Sequence, residues 1–387
     1  MSKHSFIKIL TLVITLMVLL DACKKEELNI PVSADNNENS ILNLRWYNSD
    51  IETKEEFVKG LKWCFSFLGA KLPQDSWSKG VHWQNDKLLT VDFEKLGFSQ
   101  DALNVIQEIN QVFKTSPEYA QSALDAGSWV VNVFNNSAHY YRIVGMPYRL
   151  DSFSKKYIFN PKKAAIKESA VAYGSRIIQL PSHSSALKQA FIAEELDSIG
   201  ITPEPKEYEV MDVMDNGQLR FGIYSTEGIL INGSDPTLTE AGKPAKCLWC
   251  HEMNIQPAFA AITSMPGYYS PAEFDSIVKV SYEKLQKYRS GIRGEIDFTK
   301  LMAHTLLEKL YFRYMEPSAE RLAQEWGLSE EEILKKLIGL KTHDHHEFTE
   351  MKDLYWRHEV EDFAPSKPMN FTRTLRETDY SEKSIWK

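Results

Sequence analysis

The sequence predicts an α+β fold: an N-terminal unit mixing helices with strands, a central β-hairpin and a helical C-terminal region. Three observations predict it. Apolar residues recur at spacings of three and four after Ser99, the period of a helix with one buried face, and helix-start signals follow from Ser270-Pro271 onward. Two strand-like runs, residues 210–214 and 219–224, flank Asp215-Asn216-Gly217, a composition that turns a hairpin. The 387 residues are 43% hydrophobic and 25% charged, enough for two or three compact units, which excludes a disordered, collagenous or multi-spanning membrane chain.

The chain opens with a targeting segment. Lys3 and Lys8 precede an apolar run, residues 9–20, that is too short to span a bilayer and has the layout of a signal peptide. Its end, Leu20-Asp21-Ala22-Cys23, resembles a bacterial lipobox, with Asp21 in place of the usual small or apolar residue. The resemblance implies cleavage after residue 22, acylation of Cys23 and a lipid anchor in the bilayer. Lys24-Lys25-Glu26-Glu27 is similar to the charged export signal of Bacteroidota lipoproteins, which implies the outer membrane, on its periplasmic face or at the cell surface. Residues 23–40 are polar and Asn-rich and read as a flexible tether. Cleavage would remove two lysines and one aspartate, taking the net charge from −8 to −9. Such a surface disfavours nucleic acid as a partner, because phosphates are bound by Lys and Arg.

Residues 41–205 read as an α+β domain of unassigned role. Ser99 is placed to cap a helix carrying Ala102, Ile106, Ile109 and Phe113, and Ser116-Pro117 starts another that Gly127 ends. Residues 129–144, rich in Val, Phe, Tyr and Ile, read as strand broken by an Asn135-Asn136-Ser137 turn. Residues 206–387 form the second region. After the hairpin, helices are expected from Ser270-Pro271, over residues 297–315 and over 318–326, and a capping box of Ser329 with Glu332 opens another. The turn at Gly327-Leu328-Ser329 is similar to that of a helix-turn-helix, but Glu330-Glu331-Glu332 has the wrong sign for DNA, so the pair reads as an αα-hairpin. Cys64, between Trp63 and Phe65, reads as a buried free thiol.

The chemistry sits in Cys247-Leu248-Trp249-Cys250-His251. Two thiols three apart, followed at once by an imidazole, form the attachment pattern for one covalent haem c: on one helical turn both sulfurs reach the vinyl groups of a haem edge, and the histidine meets the iron from the same side. In this pentapeptide and in its export logic the chain resembles the monohaem c-type cytochromes, which implies single-electron transfer with a redox partner protein, here a basic one. Met265, in Met265-Pro266-Gly267, is similar to the Met-Pro loop that supplies the sixth iron ligand in many small cytochromes c; Met302 and His304 are alternatives, and Met253 starts on the wrong side of the ring. An open iron would instead suit a peroxidase or oxidase. A surface lipoprotein with a Cys247–Cys250 disulfide and no haem is the third reading, and a redox dithiol or a zinc site are others for the same thiols. His343, His345, His346 and His358 lie near carboxylates, a composition open to metal binding but read as a solvated loop. No nucleophile motif, phosphate loop or glycosidase carboxylate pair stands out, so no catalytic residue is assigned.

Overall fold

The computed structural model describes residues 40–387 except 183–184, 200–202, 252–258, 263, 301–304 and 387. The signal segment, Cys23, nearly all of the tether, Met253, Met302 and His304 lie outside the described residues.

The chain adopts an α+β fold with two sheets. The first, in the order β2-β3-β1-β4, comprises β1 (Ile41–Arg45), β2 (Val81–Trp83), β3 (Leu88–Asp92) and β4 (Leu124–Asp125); β4 joins β1 in parallel and the other pairs are antiparallel. The second is antiparallel throughout, in the order β10-β5-β6-β7-β8-β9. Its strands are β5 (Ala164–Ser169), β6 (Ser175–Gln179), β7 (Ala190–Leu196), β8 (Glu207–Val213), β9 (Leu219–Ser225) and β10 (Phe259–Ile262). The expected hairpin is the β8–β9 edge, with Met211 opposite Phe221 and Val213 opposite Leu219. Asn39–Lys387 is one compact unit, and β7 pairs with β8 from Ala190↔Asp212 to Glu195↔Glu207. The division expected at residue 205 therefore falls inside a sheet.

Helices pack around these sheets on one continuous apolar core. The first, α1 (Lys54–Phe67), opens on a capping box of Thr53 with Glu56, and α2 (Gln100–Lys114) is capped by Ser99, whose hydroxyl accepts from the Ala102 amide at 3.2 Å. Next come α3 (Ala126–Val133) and α4 (Ser137–Ile143), then α5 (Pro244–His251) and α6 (Pro271–Ser290). Helix α7 (Thr305–Met315) packs on both α1 and α3. It can do so because Gly60 and Gly127 face it: a Cβ at Gly60 would sit 2.5 Å from the Leu306 carbonyl oxygen, and one at Gly127 2.7 Å from the Tyr314 Cβ. The αα-hairpin is α8 (Ala319–Trp326) and α9 (Glu330–Lys336), capped by Ser318 and Ser329 and closed over a small core of Leu322, Ile333, Leu337, Tyr355 and Val360. Cys64 is fully buried, and burial pushes its thiol well up.

Residues 116–144 depart from expectation. Ser116-Pro117 opens a short 3-10 turn (Pro117–Gln121) rather than a helix running to Gly127, which lies inside α3. The expected strand at 129–144 is α3 and α4, with Asn136 as the cap between them: its side-chain oxygen accepts from the His139 amide at 3.0 Å. Asn135, Asn136 and Ser137 are all buried. They receive the C-terminal segment of the chain. The Phe371 amide donates to Asn132 Oδ1 at 2.9 Å, Asn135 Nδ2 to the Leu375 carbonyl at 3.1 Å and Asn136 Nδ2 to the Lys383 carbonyl at 2.7 Å. His139 completes the row: burial lowers its pKa to about 4, and its Nε2 accepts from the Ile385 amide at 3.1 Å.

Candidate functional site

The C-terminal segment also fixes the start of α5. Gly242 has φ +64, in the left-handed region, and a Cβ there would lie 2.2 Å from the Arg376 carbonyl oxygen, so only glycine lets the two backbones cross. Lys243 follows and is fully buried. Its ammonium donates to the Asn135 carbonyl at 3.1 Å, the Thr374 carbonyl at 3.0 Å and Thr372 Oγ1 at 2.5 Å, and it pairs with Glu382 at 2.7 Å. The carbonyl of the same residue accepts from the amides of Lys246 and Cys247. The first turn of α5 is thus anchored by a buried ion pair.

That anchoring presents the thiols. Cys247 and Cys250 are three residues apart on one face of α5, and His251, four after Cys247, is its last residue. All three are half-buried, and Leu248 points into the core. Helix α5 packs on β9, where the His251 ring meets the Phe221 ring at 5.4 Å and 31°. Trp249 lies under the Arg376 guanidinium at 4.5 Å. Arg376 is itself held by Glu308 and Glu347.

Neither cysteine forms a disulfide among the described residues. Burial, then the charges of Glu209 and Cys250, push the Cys247 thiol well up; burial raises that of Cys250. The donor set fits a haem c in kind and spacing: two thiols one turn apart on half-buried residues, and a histidine directly behind them.

Under α5 the sheet carries a buried acidic cluster. Arg176 of β6 is opposite Glu195 of β7, which is opposite Glu207 of β8, and Glu209 is two residues along on the same face. By the same alternation this is the face that carries Phe221. Arg176 pairs with Glu195 at 2.5 Å and with Glu209 at 3.3 Å. Glu207 has no such ion pair among the described residues and accepts from the Asp235 amide at 2.8 Å; burial above all, and the Glu209 charge, raise it to about 8. Two carboxylates thus share one guanidinium whose charge acts on Cys247, and Glu207 adds a third carboxyl group to the cluster. The sequence hides this group, because Glu194-Glu195 and Glu207-Tyr208-Glu209 look like the solvent side of strands.

Met265 is placed elsewhere. It follows β10, at the opposite edge of the sheet from β9, and its neighbours Gly267 and Tyr268 line a cleft with Gln179, Glu194 and Tyr208, which project from the sheet face opposite Phe221. At about 4.8 Å per strand the two edges are roughly 24 Å apart along the sheet. The last turn of α5 thus groups Cys247, Cys250 and His251, while Met265 follows the edge strand at the other end of the strand order.

The histidine-rich segment is solvated only in part: His346 and His358 are exposed, whereas His343 is half-buried and His345 buried. His345 is buried between Phe312 and Phe348, and its Nδ1 accepts from the Glu347 and Phe348 amides at 3.1 and 3.0 Å. His343 stacks on Trp356 at 4.0 Å and meets Glu316 at 2.8 Å, while His346 is exposed. Among the described residues no three His, Cys, Asp or Glu side chains are grouped to hold a metal ion, and no helix is long and apolar enough to cross a membrane.

Comparison of the chain with protein-family models, curated proteins and solved structures gives no match.

Proposed function

We propose that this protein is a lipid-anchored, monohaem c-type cytochrome of the bacterial cell envelope that passes single electrons between partner proteins. The observation that carries the reading is the last turn of α5, with Cys247 and Cys250 on one face and His251 directly behind them. Each thiol would add across one vinyl group, sulfur bonding one carbon and the thiol hydrogen passing to the other. His251 would ligate the iron from the α5 side. A haem held there supplies a one-electron couple. Phe221 backs the imidazole and limits its rotation, while the signal segment and Cys23 supply export and the anchor. With a net charge of −8, a basic redox partner is steered to the surface.

The test is a haem stain that survives denaturing electrophoresis. Protein made in a host with active cytochrome maturation should stain, and an unstained wild-type band would remove the reading. Labelling with a fatty acid should depend on Cys23, and label retained in Cys23→Ala would exclude acylation there.

The place of Met265 after β10, at the far end of the strand order from β9, favours a second reading, in which the iron has an open face and the protein is a haem oxidoreductase. Met265→Ala decides the ligand. From the strand order we expect the spectrum and the potential to be unchanged; a switch from low to high spin would assign Met265 as the sixth ligand. Rapid cyanide binding by the wild type would favour the open site.

A further inference from the structure

A second cavity, apart from α5, is built for a different ligand. It encloses about 320 Å³ between the end of β1, the 3-10 turn at residues 117–121, the α7–α8 region and residues 357–368. This is the size class of small-molecule sites. Its walls are Tyr47, Tyr314 and Trp326, and its polar lining includes Glu118, Asp125, Glu325 and Arg357.

Its charges are unequally satisfied. Arg357 grips Glu325 through two bonds of 2.7 and 2.8 Å and donates to the Tyr314 carbonyl at 2.6 Å. Arg321, behind the wall, is taken up by Asp125 and by Glu325. The two guanidiniums also lie over aromatic faces, Arg357 on Tyr314 and Arg321 on Tyr47. An anionic ligand would have to break these pairs. Glu118 differs. It accepts from the Met369 amide at 3.0 Å, Ser128 Oγ at 3.2 Å and the Tyr314 hydroxyl at 3.4 Å, and none of the ion pairs among the described residues includes it. The cavity therefore holds a carboxyl group with hydrogen bonds but no ion pair of its own among the described residues, the nearby Arg357 charge being committed to Glu325, and it is also lined by the indole of Trp326, whose face attracts cations.

We propose that this cavity binds a small organic cation of the primary-amine class, which pairs with the Glu118 carboxylate. Burial, then the charge of Asp125, raises Glu118 to about 7, so the carboxylate is only partly present at neutral pH. Other charged groups surround it. Arg357 and Arg321 hold Glu325 at about 2 against its burial, and Tyr314 is pushed well up by burial. Asp125 stays in its pair with Arg321, Glu361 is raised by its own burial, and Arg45 lies on the rim. An ammonium binds the ionised form of Glu118, so apparent affinity follows the ionised fraction and should rise about tenfold between about pH 6 and about pH 8.

The experiment is calorimetric titration of the whole mature protein with butylammonium chloride, with butanol and sodium acetate as neutral and anionic controls. We expect butylammonium alone to bind, with that pH dependence. In Glu118→Gln, checked for folding by its circular dichroism, affinity at the higher pH should fall at least tenfold and the pH dependence should vanish. Trp326→Ala should weaken binding and keep the pH dependence. No heat from butylammonium at the higher pH, stronger binding of acetate, or unchanged affinity in folded Glu118→Gln would each overturn the proposal. The result is independent of whether the chain carries haem.

Discussion

Lys243→Ala should destabilise the protein by about 3–5 kcal/mol, the usual cost of leaving one member of a buried ion pair alone. Four groups lose a donor at once: Glu382, Thr372 and the carbonyls of Asn135 and Thr374. The ammonium joins three parts of the chain, the start of α5, the α3–α4 junction and the C-terminal segment, so the loss should loosen the attachment turn first. Yield of haem-stained protein should fall further than yield of folded protein. Because Glu382 can take a proton when its partner is gone, the deficit measured by urea unfolding should be smaller in mild acid than at neutral pH. Replacing both partners by apolar residues, Lys243→Met with Glu382→Leu, should recover much of the stability, since the pair itself is costly to bury. A single variant as stable as wild type would show that the pair does not anchor α5.

The second large effect is on stability as a function of pH. Glu118 and Glu308 are raised to about 7 and Glu207 to about 8, in each case chiefly by burial. Their unfolded-state value is near 4.5. Between that value and their folded values the native state holds protons that the unfolded state has released, so stability falls as pH rises through this window. Two carboxylates act in the opposite sense. Glu325, held at about 2 by Arg357 and Arg321 in spite of burial, and Glu273, held at about 2 by the Ser270 amide and Lys162, stabilise above 4.5 and lose that contribution as pH falls toward 2. The melting temperature should therefore peak near pH 5 and be lower by roughly 5 °C or more at about pH 8.5. A profile that rises from acid to neutral and stays flat above would contradict the assignment of neutral buried carboxyls.

What could be read in the sequence was local. Ser99, Ser270, Ser318 and Ser329 cap helices through contacts within three residues, and Asp215-Asn216-Gly217 closes a hairpin between neighbouring strands. The pentapeptide at residues 247–251 is likewise one helical turn, so its three groups converge wherever the helix goes. Failure followed where the answer depended on distant partners. In α3 every residue is buried, so the helical period of apolar positions vanishes and a Val-rich run reads as strand. Asn135-Asn136-Ser137 reads as an exposed turn because the backbone it serves arrives from residues 371–383. His345 reads as solvated for the same reason, its aromatic cage coming partly from α7. The position of Met265 depends on the order of six strands, and spacing along the chain does not encode that order.

Intact-mass spectrometry of the mature protein, purified from a cytochrome-maturing host and denatured before analysis, tests the central claim most directly. The wild type should be heavier than its polypeptide and any acyl groups by the mass of one haem, and Cys247→Ala with Cys250→Ala should lack that increment while keeping the acyl mass. A wild-type chain with no added haem mass, or a double variant that retains it, would contradict haem attachment at the end of α5.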